Sequence, residues 1–182
     1  KRELGMDEAA QKKTLHVSSI KKDIHILSYG YSDKKVLLTH GWAGRRTQLF
    51  MIANLLLEKG YMVIAFDAPS HGKSSGKFVN GNISKWTAEV KIAIKKIIKK
   101  NNFILVGSSM GSWLSLNQFK YFKKQIKGFI GIGSAPEFLE RLMWRKFSKK
   151  IQKEIKQNGI YNLKHGNYEY PISYQLIKDG RK

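Results

Sequence analysis

Four short apolar runs, 35–40, 61–66, 103–106 and 125–134, alternate with longer segments in which apolar residues recur at helical spacing. A strand that is apolar at successive positions is covered on both faces, as happens when helices pack on either side of a parallel sheet. Parallel neighbours are reached through crossovers, so this alternation predicts an α/β chain with a doubly wound, mostly parallel sheet. Its functional loops then belong at the C-terminal ends of the strands.

The third run leads straight into Gly107-Ser-Ser109-Met-Gly111, and a helix-like segment to about Phe122 follows. Gly-x-Ser-x-Gly between a buried strand and a helix puts Ser109 on a sharp, strained turn where side chains two residues away would collide with the neighbouring strand and helix. Ser109 is the candidate nucleophile. The helix start behind it carries partial positive charge, and the Met110 N–H points where an oxyanion would form. The first run ends in His40-Gly41-Trp42-Ala43-Gly44, and the Trp42 N–H is the candidate second oxyanion donor. His40 is read as a brace for its own loop. Asp67 and His71, in Asp67-Ala-Pro-Ser-His71-Gly72, are read as parts of a structured turn.

Residues 1–13 read as a loosely docked polar lead-in, and 14–20 with 23–29 as a hairpin around Lys21-Lys22. Thr47–Lys59 is too densely apolar for a one-faced surface helix and suits packing on a sheet, with Gly60 closing it. Ser84 is expected to cap a helix running to about Lys100. After Ala135-Pro136 the character changes. Phe138–Ile155 reads as helical and basic, Gly159–Pro171 as a loop, and 172–178 as a short amphipathic segment. Residues 1–134 are thus expected to form the core and 135–182 a helical cap or lid with apolar and aromatic walls.

With 182 residues the chain suits one domain, and no apolar run reaches the length of a membrane span. Nothing at the start reads as a secretory signal, and cytoplasm is the default expectation. The absence of cysteine excludes disulfides, thiolate catalysis and Cys-ligated metals, and no metal or cofactor is expected. The formal net charge is +21, from 34 Lys+Arg against 13 Asp+Glu. The lysines are spread along the chain without interleaved aromatics, so nucleic acid is not an expected partner, while an anionic membrane surface stays open.

Leu38-Thr-His40-Gly41-Trp42, Phe66-Asp67-Ala-Pro-Ser-His71-Gly72-Lys-Ser74 and Gly107-Ser-Ser109-Met-Gly111, in that order, resemble the α/β-hydrolase superfamily. More narrowly, Lys85-Trp86, Gly107-Ser-Ser109-Met-Gly-Ser-Trp113, Ile155-Lys-Gln-Asn-Gly159-Ile-Tyr161 and Tyr170-Pro-Ile-Ser-Tyr174-Gln-Leu-Ile-Lys-Asp-Gly are similar to the subgroup of palmitoyl-protein thioesterases and acyl-glucuronide esterases with their bacterial relatives. The resemblance implies a serine hydrolase that cleaves carboxylic esters or thioesters through a Ser109 acyl-enzyme, with Trp42 and Met110 as oxyanion donors. It also implies a triad acid and histidine on later strands, so the chain is expected to be C-terminally incomplete. His165 and Asp179 are the downstream histidine and aspartate, and both fall in the expected cap. They are the remaining base and acid candidates. The alternative is a non-catalytic hydrolase-like module that binds anionic surfaces through its lysines.

Overall fold

A computed structural model describes residues 11–17, 22–68, 70–165 and 167–182. Its main sheet has six strands: β1 (Gln11–Val17), β2 (Lys22–Tyr29), β3 (Lys35–Thr39), β4 (Met62–Phe66), β5 (Phe103–Ser108) and β6 (Ile126–Ile132), ordered β1-β2-β4-β3-β5-β6. β4, β3, β5 and β6 run parallel, and the β1–β2 hairpin is added antiparallel along β4. The doubly wound, mostly parallel sheet is therefore as the sequence predicts. The hairpin begins three residues earlier than expected, so Gln11–Lys13 are strand, whereas 1–10 of the expected lead-in and 18–21 lie outside the described residues.

The pleat sorts each strand onto two cores. Leu37, Ile64, Phe66 and Leu105 face one side, where helices α2 (Ile83–Ala93) and α3 (Met110–Phe122) cover them. Val36, Leu38, Val63, Ala65 and Val106 face the other, under α1 (Phe50–Glu58). Successive side chains of a strand point to opposite faces, which is why both layers need an unbroken apolar run. α1 buries only Phe50 and Ala53 fully and leaves Met51 and Leu55 exposed, so its apolar surplus is on its outer side.

Three expectations are corrected. Asn82, not Ser84, caps α2, its side chain accepting from the Lys85 N–H at 2.9 Å. The basic stretch after Pro136 is not one helix: a π turn at Leu139–Met143 and a 3-10 turn at Trp144–Lys146 precede α4 (Lys149–Asn158), which Ser148 caps. Gly159–Pro171 is not a loop. β7 (Ile160–His165) pairs antiparallel with β8 (Tyr168–Ser173), and α5 (Tyr174–Asp179) follows. Cross-strand pairing overrides the turn-forming Asn and Gly composition, and buries Ile172 at its inner edge.

Candidate active site

β3 and β5 are neighbours in register, Thr39 opposite Gly107, so the loop after β3 and the turn after β5 leave the sheet side by side. Ser109 is that turn. It is half-buried, with φ 51° and ψ −117°, a conformation that non-glycine residues hold only where the surroundings impose it. The glycines of the motif show what imposes it. A Cβ on Gly107 would stand 2.6 Å from the Ser112 backbone, and one on Gly111 2.2 Å from the Thr39 carbonyl oxygen. No side chain fits either place.

Polar contacts lock the junction. Thr39 Oγ1 donates to the Gly111 carbonyl at 2.9 Å and lies 2.8 Å from Ser115 Oγ, tying β3 to the first turns of α3. Ser112 Oγ donates to the Gly107 carbonyl at 2.6 Å. Ser109 donates its own N–H to the Ile132 carbonyl at the end of β6. A serine at the start of a helix ordinarily caps it through its hydroxyl. Ser109 Oγ makes no capping bond and no other hydrogen bond among the described residues.

The loop after β3 comes down onto this hydroxyl. A Cβ on Gly41 would lie 3.3 Å from Ser109 Cβ and 3.8 Å from Oγ. Trp42 is next in the chain, and neither its N–H nor that of Met110 has an acceptor among the described residues. Two histidines hold the loop from below. His40 pairs Nδ1 with the Gly41 carbonyl at 2.8 Å, and its Nε2 accepts from the Ala68 N–H at 2.9 Å. His71 Nε2 accepts from the Ala43 N–H at 3.2 Å. The bonds assign Nδ1–H to neutral His40. Burial holds its pKa below the ordinary value, against smaller opposing pulls from the Gly41 carbonyl and Asp67. Both ring nitrogens of His40 are thus engaged in bracing, as its sequence position implies.

Asp67 has Arg46 as its charge partner. Its carboxylate takes the Arg46 guanidinium at 2.5 Å, the Arg46 N–H and the Lys73 N–H, all at a fully buried position. Burial by itself would raise the Asp67 pKa. The two backbone N–H groups and the Arg46 charge outweigh it and hold the carboxyl below its ordinary range. Gly72, at φ 51°, passes so close that a Cβ would fall 2.3 Å from the carboxyl carbon. Sequence inspection misses the Arg46–Asp67 pair and Thr39, because nothing local marks residues that act across the sheet.

Aromatic rings surround Trp42. Phe78 lies at 5.4 Å between centroids, Tyr170 of β8 at 5.1 Å and Phe138 at 6.4 Å, and Phe138 also meets Trp113 of α3 at 6.1 Å. The segment after residue 135 thus supplies two of the walls around the loop. The Asp179 carboxylate accepts from the Ser84 N–H at 2.7 Å and the Ser84 hydroxyl at 2.8 Å, at the start of α2. No hydrogen bond joins it to Ser109 among the described residues. His165 pairs through its backbone with Tyr168 in the β7–β8 hairpin, and its side chain lies outside the described residues. Among the described residues no cluster of ligating side chains could hold a metal ion.

Residues 30–169 match the Hydrolase_4 family, described as serine aminopeptidase, S33. The chain is 32% identical over 120 residues to the palmitoyl-protein thioesterase ABHD10, mitochondrial, of Rattus norvegicus, covering 63% of this chain and 40% of that protein. The Homo sapiens counterpart is 26% identical over 136 residues, 73% of this chain and 44% of its own. The chain therefore spans less than half the length of these relatives. Among solved structures, a hydrolase-class protein from Agrobacterium vitis S4 superposes with a TM-score of 0.83 at 26% identity, and mouse alpha/beta hydrolase domain-containing protein 10 shares the fold with a TM-score of 0.80 at 22% identity; each match covers 94% of this chain and 70% of the other. The matched span contains both the loop after β3 and the Ser109 turn, and by it the chain belongs to the Hydrolase_4 family of α/β-hydrolases.

Proposed function

We propose that this chain carries the nucleophile and the oxyanion donors of a serine hydrolase acting on carboxylic esters or thioesters. The observation that carries this reading is Ser109 itself, held at positive φ at the head of α3 with its hydroxyl unused by the cap. Ser109 Oγ attacks the carbonyl carbon and forms the new C–O bond. The carbonyl oxygen becomes an oxyanion between the Trp42 and Met110 N–H groups, and its collapse breaks the bond to the leaving alcohol or thiol. Water then clears the acyl-enzyme. Two backbone donors and a helix start aimed at that oxygen need no reorganisation as charge develops.

The serine proton needs an acceptor, and His40 and His71 do not supply it: His40 has both ring nitrogens bonded, and His71 Nε2 faces Ala43. Among the described side chains we assign the base and the acid to none. The rings of Trp42, Phe78, Phe138 and Tyr170 form walls that suit an apolar acyl group, and residues 135–182 act as the cap over the 1–134 core. The names of the relatives, a thioesterase and a hydrolase, support the same chemistry.

The test is steady-state hydrolysis by the full-length protein of a matched thioester, ester and amide. Thioester and ester should turn over well ahead of the amide, and Ser109→Ala should lower kcat by about 10⁴-fold or more. Turnover above a tenth of the parent in that variant would remove Ser109 from its role, and an amide cleaved fastest would remove the ester assignment.

A further inference from the structure

The parallel strands align in one row at their N-terminal ends, Met62 beside Lys35, Lys35 beside Phe103 and Phe103 beside Ile126. Ser109 leaves from the opposite ends, about 20 Å away along a six-residue strand. The connections feeding β5 and β6 in that N-terminal row carry lysines with no acid among them. Between Glu89 and Glu137 the chain has nine lysines and no aspartate, glutamate or arginine. Seven of them, in the stretches 95–100 and 123–127, are exposed.

These two stretches are fastened side by side. Gln125 Nε2 donates to the Lys99 and Asn101 carbonyls, both at 2.9 Å, and the Gln125 carbonyl accepts from the Phe103 N–H at 3.0 Å. The fastening fixes like charges on adjacent turns. Lys34 and Lys59 continue the row at the starts of β3 and β4, where Asp33 and Glu58 are the acids. Like charges crowded without acids repel one another unless a counter-surface screens them.

We infer that this end of the sheet is a docking face for an anionic lipid bilayer, separate from the Ser109 site and independent of its chemistry. Bilayer phosphates present a smeared negative potential that compact lysine ammonium groups match by number. Nucleic-acid faces instead use arginine forks and aromatic platforms. This face has no arginine, and its exposed ring, Tyr121, is covered by the Lys91 ammonium at 3.6 Å. Docked this way, the molecule presents Ser109 to solution on its far side.

The experiment is co-sedimentation of the full-length protein with phosphatidylcholine vesicles, with and without about 30% phosphatidylglycerol. Partition onto the anionic vesicles is expected, falling at least about tenfold between 50 and 200 mM salt. Lys96→Glu, Lys100→Glu and Lys123→Glu together should weaken it on the order of 30-fold or more. The same charge change on the cap, Lys146→Glu, Lys149→Glu and Lys153→Glu, should weaken it less than about 3-fold. Lys→Gln at the first three positions should fall between the parent and the Glu triple, which guards against a variant that fails to fold. Equal losses from the two triples would reduce the effect to bulk charge and overturn the docking face. So would absence of partition, or binding to duplex RNA at lower protein concentration than to the vesicles.

Discussion

Ser109 carries its backbone strain because Gly107, Gly111, Thr39 and Ser112 leave the turn no other path. Strain of this kind costs about 1–3 kcal/mol. Ser109→Gly relaxes it and should raise stability by about 1 kcal/mol while abolishing turnover, read as a higher midpoint of chemical denaturation. Gly111→Ala should do the opposite, because its Cβ meets backbone carbonyls that cannot move aside, and a loss of about 3 kcal/mol or failure to fold is expected. Acid titrates the same neighbourhood. His40 is held neutral, so as pH falls below about 6.5 the unfolded chain takes up a proton that the folded chain refuses, and stability declines. Asp67, held ionised, adds a second loss below its ordinary value near 3.8. Melting temperatures between pH 8 and pH 5 should fall, and His40→Gln should flatten that slope; a parent curve already flat there would contradict the assignment of His40. The glycine spacing made Ser109 legible in the sequence. Thr39 and the Arg46–Asp67 pair were not, since their partners lie 72 and 21 residues away along the chain.

At the scale of elements, the buried strands announced themselves because consecutive apolar residues have no other economical place in a layered fold. The β7–β8 hairpin did not, because its inner face, Tyr161 and Leu163 opposite Ile172 and Tyr170, is divided between two short strands separated in sequence and joins the core only once they pair. The helix caps divide in the same way. Ser84 and Asn82 are both good capping residues two positions apart, and the choice between them depends on Asp179, which takes the Ser84 hydroxyl from a distant part of the chain. Asn82 also donates to the Gln175 side chain at 2.7 Å, joining α2 to α5. Asn82→Ala should therefore cost more than the ~1 kcal/mol of a simple cap, whereas Ser148→Ala, an exposed cap on α4, should cost about that amount. Denaturant melts of the two variants compare them directly. An Asn82→Ala loss no larger than that of Ser148→Ala would show that the tie to α5 adds nothing.

Across the whole molecule, one row of strand register separates two kinds of surface. The C-terminal ends hold the serine turn, the loop after β3 and the aromatic walls, and the N-terminal ends hold the lysine row. Fold class and the place of the serine turn follow from patterns within about ten residues, and so were readable in advance. The part of His71 in the brace, the aromatic ring around Trp42 and the lysine row arise from elements meeting in space. The most direct test of the account is covalent labelling of the full-length protein with a fluorophosphonate, followed by peptide mapping, beside its Ser109→Ala variant. The account predicts a single adduct on Ser109 that the variant lacks; an adduct on another serine, or undiminished labelling of the variant, would contradict it.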